Sequence, residues 1–296
     1  MNRGVLYGAV AYLMWGFFPI YFKALQVVPS FQIMLHRVVW SFLFVMLLIL
    51  LRREWPGFRD SLRKPRVLLT YTLTAFLLAV NWLIYIYGIN SGQVVETSLG
   101  YFINPLLSVA LGVVFLRERL RPMQWFPVGL VALGVLYLTL QYGSLPWIAL
   151  ALAFSFGMYG LIKKIAPLGA LHSLSLETGI IFIPALLYLL YAESQGNGSF
   201  GHLGWNVTLL LAFAGVVTAL PLLLFGLAAR SIPLTLLGIL QYIAPTVQFL
   251  LGIFLYQEPF TVTRLVGFAI IWLALIVFTI EGMYERRKRI VSAPIV

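Results

Sequence analysis

The sequence contains no cysteine and only three histidines, His36, His172 and His202, far apart in the chain. The first absence excludes a disulfide framework and any thiolate metal site, and the second makes a His-rich one a poor fit. Charge is equally scarce: 10% of residues are Asp, Glu, Lys or Arg, against about 25% in an ordinary soluble domain. There is no HExxH, GxSxG or P-loop pattern and no acidic cluster, so the chemistry those motifs support has no carrier here. No catalytic residue, metal ligand or cofactor is therefore assigned. The longest polar stretch, 52–66, is too short for an ATPase domain, which leaves an ion gradient as the energy source for any uphill work.

What fills the chain instead is apolar: 61% of its 296 residues are hydrophobic. One soluble core could not hide so much apolar surface, whereas a bilayer accepts helices that are apolar all round. Ten runs are long enough to span: 4–22, 31–51, 67–89, 94–116, 123–141, 145–163, 171–191, 205–229, 234–256 and 262–282. In hydrocarbon each backbone polar group must bond within its own segment, so the runs are expected to be helices. The first is read as a retained membrane helix rather than a cleaved signal, because its apolar run is long and no small-residue cleavage site follows.

The net charge of +11 could suggest nucleic acid, but its placement gives topology. With the N-terminus in the cytoplasm and alternating spans, seventeen Lys and Arg fall on the cytoplasmic side, two (Lys23 and Arg264) on the other, and Arg37 within a helix. That asymmetry predicts an inner-membrane, multi-pass protein with both termini cytoplasmic and its basic loops among lipid headgroups, with no nucleic-acid partner.

The chain also repeats itself. GYFINPLLSVALGVVFLRERL (100–120) aligns with LQYIAPTVQFLLGIFLYQEPF (240–260) at a step of 140, matching Pro105 with Pro245, Gly112 with Gly252 and Glu118 with Glu258. Five spans per half is odd, so the second copy must lie upside down in the membrane. The expected architecture is an all-α protein of two inverted five-helix repeats, 1–141 and 142–285, followed by a basic tail, 286–296. Inverted repeats recur in secondary transporters, with the site near midplane between the halves.

Polar groups at membrane depth are the candidate site residues, since ionisable ones cost roughly 2.5–3.5 kcal/mol to insert. Arg37, beside His36, reads either as an interhelical anchor or as an anion contact; its guanidinium is a planar fork that stays charged. Glu96, Gly100, Asn104, Ser108 and Gly112 form a stripe of period four. Packing explains its small members, while Glu96 and Asn104 are equally candidates for binding. Trp15, Asn81, Tyr101, Asn104, Gln241, Tyr242 and Gln248 would line an aromatic cavity with a few amides, suited to a small organic solute. The cavity is expected between the first, third and fourth spans and the sixth, eighth and ninth, with Arg37 toward its outer mouth. Glu96 and Glu177 are candidates for proton coupling; Glu177 reads equally as a carboxylate bonded to a neighbouring helix. Glu118 and Glu258, just before Pro122 and Pro259, are expected to support the N-termini of the helices that follow.

HRVVWSF (36–42), NWLIYIYGIN (81–90), ETSLGYFINPLLSVALGVVFLRERLRPMQW (96–125), GSLPWIALALAFSFGMYGLIKK (143–164) and LGILQYIAPTVQFLLGIFLYQE (237–258) resemble the RarD-type transporters, in the EamA group of the drug/metabolite transporter superfamily. The resemblance spans roughly 4–285, with TSLGYFINP its most family-specific stretch. It implies ten helices in two EamA repeats, cytoplasmic termini, a plasma-membrane location, and export or exchange of small metabolites or drugs. A membrane-embedded enzyme and a non-transporting scaffold or sensor are the alternatives. Nothing in the pattern specifies an oligomeric state.

Overall fold

The computed structural model describes residues 3–90, 94–142, 146–257 and 262–291, with side chains described except at 86, 89–90, 94–98, 141–142, 249, 252–253, 263–264, 268 and 282–291. The described residues form thirteen helices and no strand: α1 (Arg3–Gly16), α2 (Phe18–Ala24), α3 (Ser30–Leu51), α4 (Trp55–Leu62), α5 (Pro65–Asn90), α6 (Val94–Phe115), α7 (Pro122–Tyr142), α8 (Trp147–Ile165), α9 (Ala170–Ser194), α10 (Trp205–Ser231), α11 (Leu234–Leu240), α12 (Ile243–Phe254) and α13 (Val262–Val291). Seven helical segments are long and apolar enough to cross a membrane, counting Arg3–Ala24 as one, and three further apolar helices are shorter. This is a multi-pass membrane protein, whose exposed leucines and phenylalanines, such as Leu69, Phe76, Leu140 and Phe254, are suited to lipid.

Two spans are broken, and proline marks both. Pro19 lies in the first turn of α2, where its missing N–H is least costly. Between α11 and α12 the chain tightens to Ala244 N–Gln241 O (3.2 Å), because Pro245 cannot donate to the Gln241 carbonyl. Pro105, by contrast, sits inside an unbroken α6. The 52–66 segment, expected as a loop, contains α4. Trp55, Phe58 and Leu62 recur at helical spacing, and Phe58 is buried among Ile49, Val67, Tyr71 and Leu176.

Contacts sort the helix ends into two groups. At one end meet the C-termini of α8 and α10, the N-termini of α5, α7, α9 and α11, and the α3–α4 turn, through Lys164–Ile232, Leu168–Tyr71, Glu118–Leu234, Arg121–Glu281 and His172–Glu54. At the other end, Gln32 bonds the 197–199 loop, Tyr21 bonds Leu210, and Lys23 sits over Tyr256. Successive long helices therefore alternate in direction. The first end carries Arg52, Arg53, Arg59, Arg63, Lys64 and Arg66 around α4.

Helix pairing is closest for α6 with α8, α1 with α10, α3 with α10, α7 with α13, α3 with α9, α6 with α11 and α5 with α8. Small residues permit several of these approaches. A Cβ added at Gly238 would meet the Pro105 carbonyl and the Ser108 Cβ, both at 2.8 Å, so glycine there sets how near α11 comes to α6.

Candidate functional site

Arg37 lies seven residues into α3, about 10 Å along it at 1.5 Å per residue. Its Nε donates to Thr218 Oγ1 of α10 at 2.9 Å. Its guanidinium faces three aromatic rings, Trp82 at 4.8 Å, Phe22 at 5.2 Å and Phe18 at 5.7 Å from their centroids. Tyr21, Tyr85 and Tyr101 lie within electrostatic range of it, and Tyr85 and Tyr101 pack edge to face at 5.9 Å. Among the described residues Arg37 has no carboxylate partner. Arg37, Trp82, Tyr85 and Tyr101 each keep some accessible surface.

The three rings account for the cation's presence. Each cation–π contact contributes about 0.5–2 kcal/mol, enough together to offset the insertion cost of one arginine, roughly 2.5–3.5 kcal/mol. They leave its hydrogen bonding unfinished, because ring faces do not replace N–H acceptors.

Below this lies an aromatic cluster. Trp15 packs on Tyr12 (5.4 Å), Phe156 (5.9 Å) and Phe225 (5.8 Å), and Phe225 stacks on Tyr159 at 5.9 Å and 15°. Tyr159 joins the cluster to a buried polar network. Its OH donates to Glu177 Oε2 (3.2 Å), which also receives Lys163 Nζ (2.9 Å), and Thr74 donates to Glu177 Oε1 (2.8 Å). Lys163 donates further to Ser173 Oγ at 2.6 Å. The Lys163 and Glu177 side chains are 3% and 0% exposed, so the pair is sealed from solvent and its geometry is fully satisfied.

A second layer closes the same end. Lys164 Nζ donates to the carbonyls of Ala229 (3.2 Å) and Ile232 (2.6 Å), which terminate α10. Arg230 Nη1 donates to the carbonyls of Ala166 (2.6 Å) and Leu168 (2.7 Å), beyond the end of α8. Each helix thus supplies the cation that caps the other's free carbonyls, the arrangement the helix dipole favours.

The sequence-predicted residues separate into groups. Arg37 lies with Trp82, the neighbour of Asn81, and Tyr101 is near it. Trp15 belongs to the aromatic cluster, and its carbonyl accepts from Gln248 Nε2 at 3.1 Å. Asn81 is committed elsewhere: its amide donates to Leu152 O (3.0 Å) and Ser155 Oγ (2.9 Å), tying α5 to α8. Tyr242 is buried against α6, donating to Phe102 O at 2.9 Å. Asn104 is buried and accepts a long 3.4 Å bond from Ser108. Gln241 is buried at the C-cap of α11. His36 points away from Arg37, stacking on Phe200 at 5.5 Å with its Nδ1 unpartnered. Glu177 is the ion-paired member of the lower network. The Glu96 side chain, Glu258 and the side chains of the 286–289 basic run lie outside the described residues. Glu118 corrects an expectation: both its oxygens accept backbone N–H groups at the start of α11, Leu234 at 2.6 Å and Thr235 at 2.9 Å, rather than supporting α7. The turn bends back to α11 because Arg117 adopts φ 53°.

Sequence reasoning missed Phe18, Phe22, Tyr85 and Thr218 around Arg37, since each is an ordinary residue of an apolar helix. It assigned Lys163 to the basic loop count, although Lys163 and Lys164 differ entirely in environment. The spacing of Lys163 and Glu177 across one helical hairpin was the available signal. A separate apolar groove of about 630 Å³ lies between α3, α4 and α9, lined by Phe42, Met46, Trp55, Phe58, Leu176 and Ile180. Arg37, Trp82, Tyr85, Tyr101 and Thr218 are not among its lining residues.

Residues 2–140 match the EamA-like transporter family. The chain is 47% identical to Protein RarD of Streptomyces exfoliatus, over 97% of this chain and 91% of that protein. It is 45% identical to the uncharacterized transporter YojE of Bacillus subtilis (strain 168), over 97% and 96%. A crystal structure superposes with a TM-score of 0.71 at 19% identity, covering 94% of this chain and 98% of the other, which shows a shared fold. The chain belongs to the EamA-like transporter family, among its RarD-type members.

Proposed function

We propose that this protein is a secondary transporter that exports or exchanges a small organic solute across the inner membrane by alternating access. The observation that carries the reading is Arg37 at membrane depth with the partly accessible Trp82, Tyr85 and Tyr101 near it, in a bundle tied at one end by the Lys164 and Arg230 caps; we read the space among them as a transport chamber closed at that end. A chamber at membrane depth with one sealed end is what a carrier presents between its two states.

Two inverted repeats, 1–141 and 142–285, with 286–296 as a cytoplasmic tail, supply the moving parts. Support comes from residues one 140-residue step apart that touch. Phe42 and Phe182 have ring centroids 4.6 Å apart, and Tyr242 bonds the carbonyl of Phe102. A residue meets its own counterpart only near a two-fold axis. The left-handed residues Arg117 and Gln257 are one step apart as well. Exchanging the halves turns the α1–α10 pairing into α8–α5, and α3–α10 into α9–α5, while α3–α9 and α7–α13 map onto themselves. Five spans per half put the axis in the membrane plane, giving ten spans in all. The basic end, around α4, is cytoplasmic by the positive-inside rule. The sealed end is then the inner one.

Of the carboxylates considered for proton coupling, Glu177 holds Lys163, and a proton taken up there would release it.

The test is reconstitution into proteoliposomes with a panel of organic anions, cations and neutral solutes, with and without a pH gradient. Saturable uptake that is accelerated by solute on the opposite side is expected. Non-saturable flux without that acceleration would make the protein a channel. No flux of any solute would leave the scaffold or enzyme reading. Reporter fusions after Arg59 and at Val296 should both read cytoplasmic; a periplasmic signal from either would overturn the topology.

A further inference from the structure

We infer that the chamber selects a monocarboxylate bearing a flat aromatic group, with the carboxylate on the two Nη groups of Arg37. The inference rests on the proposal that the chamber is the transport site, and it names the substrate class. A guanidinium offers five N–H donors. Arg37 uses one, Nε, on Thr218, and the four on its Nη atoms meet no described acceptor. Neither Nη is among the buried polar atoms sealed without a partner, so both remain accessible to a guest. With Nε anchored, the planar fork is fixed in direction, and its free edge matches the two oxygens of a carboxylate.

Charge sets the valence of the guest. Among the described residues Arg37 is the one cation of the chamber, because Lys163 is held by Glu177 and Lys164 by backbone carbonyls. One negative charge is neutralised, whereas a dianion would carry a second into a low-dielectric site without a partner. A zwitterionic amino acid has the converse problem. Among the described residues no carboxylate faces Arg37 to receive an ammonium group. The walls set the rest of the shape. Trp82, Phe22 and Phe18 surround the fork, and Tyr85 and Tyr101, packed edge to face, lie near it. Rings so arranged reward a planar π system by stacking or edge contact.

The experiment uses the full-length protein, reconstituted and in detergent. Benzoate and phenylacetate are titrated beside benzyl alcohol, benzylamine, phenylalanine, acetate and phthalate, read by calorimetry and by inhibition of solute counterflow. The aryl monocarboxylates should bind at least about tenfold more tightly than each of the others, the scale of one charge-assisted hydrogen-bonded pair. Arg37→Gln should abolish that preference, leaving benzoate and benzyl alcohol equal, and Arg37→Lys should keep part of it. A purely structural arginine would lower stability without altering the ratio. Should Arg37→Gln fail to fold, Thr218→Val frees the fork and should reduce the benzoate preference alone. Phenylalanine, phthalate or benzyl alcohol binding as tightly as benzoate would overturn the inference, as would an unchanged ratio in both Arg37→Gln and Thr218→Val. If no aryl acid binds while another solute shows counterflow, the substrate class is wrong and the transporter reading stands. If no solute shows counterflow, the transporter reading falls whatever benzoate does.

Discussion

Positions 37 and 177 are one 140-residue step apart, each about two turns into the helix that carries it, and they hold opposite charges in opposite circumstances. Glu177 is saturated, accepting from Lys163, Thr74 and Tyr159 with none of its surface exposed. Arg37 is held by one hydrogen bond and three ring faces, with its Nη donors free. Equivalent places in the two proposed repeats thus support two uses of a membrane-buried charge. A charge whose bonds are complete holds helices together, and one whose bonds are incomplete is available to a guest. Aromatic residues accompany both, but Tyr159 adds a hydroxyl where Phe18 and Phe22 offer only faces.

The comparison breaks most severely at the saturated site. Glu177→Leu strands Lys163 in a sealed interior, and loss of one partner of a buried pair costs about 3–5 kcal/mol. Thermal unfolding in detergent should show this as a large loss of stability, with Glu177→Gln milder because Thr74 and Tyr159 keep a partner. Lys163→Met combined with Glu177→Leu should recover much of the loss; a double variant worse than Glu177→Leu would mean the pair does more than neutralise itself.

Next in size is the seam between α6 and α11. Gly238→Val pushes a side chain into the Pro105 carbonyl and Ser108, and overpacking of this kind costs about 1–3 kcal/mol. Wild-type stability in this variant would mean that α11 can move away freely.

The inner closure proposed for Lys164 and Arg230 has a functional readout. The natural sequence has no cysteine, so a single cysteine at Phe156 reports access directly. Inside-out vesicles should label it slowly with an impermeant maleimide, and several-fold faster once Lys164→Gln and Arg230→Gln are added. Equal rates would mean that the caps do not close that end.

The smallest effect is expected at the exposed pair Arg63–Asp60, 3.9 Å apart with side chains 67% and 66% exposed. Asp60→Asn should leave unfolding unchanged, since pairs in water contribute little.

Much of the fold was legible because the bilayer imposes it residue by residue. Apolar length marks the helices without knowledge of any contact, while the basic loops and the Pro105 and Pro245 match supply the proposed sidedness and repeat. The site was legible only in part. Arg37 stands out because an arginine in an apolar run is costly wherever it points. Asn81, Gln248 and Tyr242 have the same sequence signature as binding groups, yet each is bonded to another helix. Lys163 and Lys164 are adjacent and read alike, but successive helical residues point in different directions, and only one enters the core. The sequence by itself determined that the chain is a multi-pass helical membrane protein and which charges are anomalous in its apolar runs, because apolar length is a property of each segment alone. Only the tertiary structure decided which of those polar groups are satisfied and which remain free, because a hydrogen bond needs two partners, and here they lie as many as 233 residues apart, as Gln248 and Trp15 do.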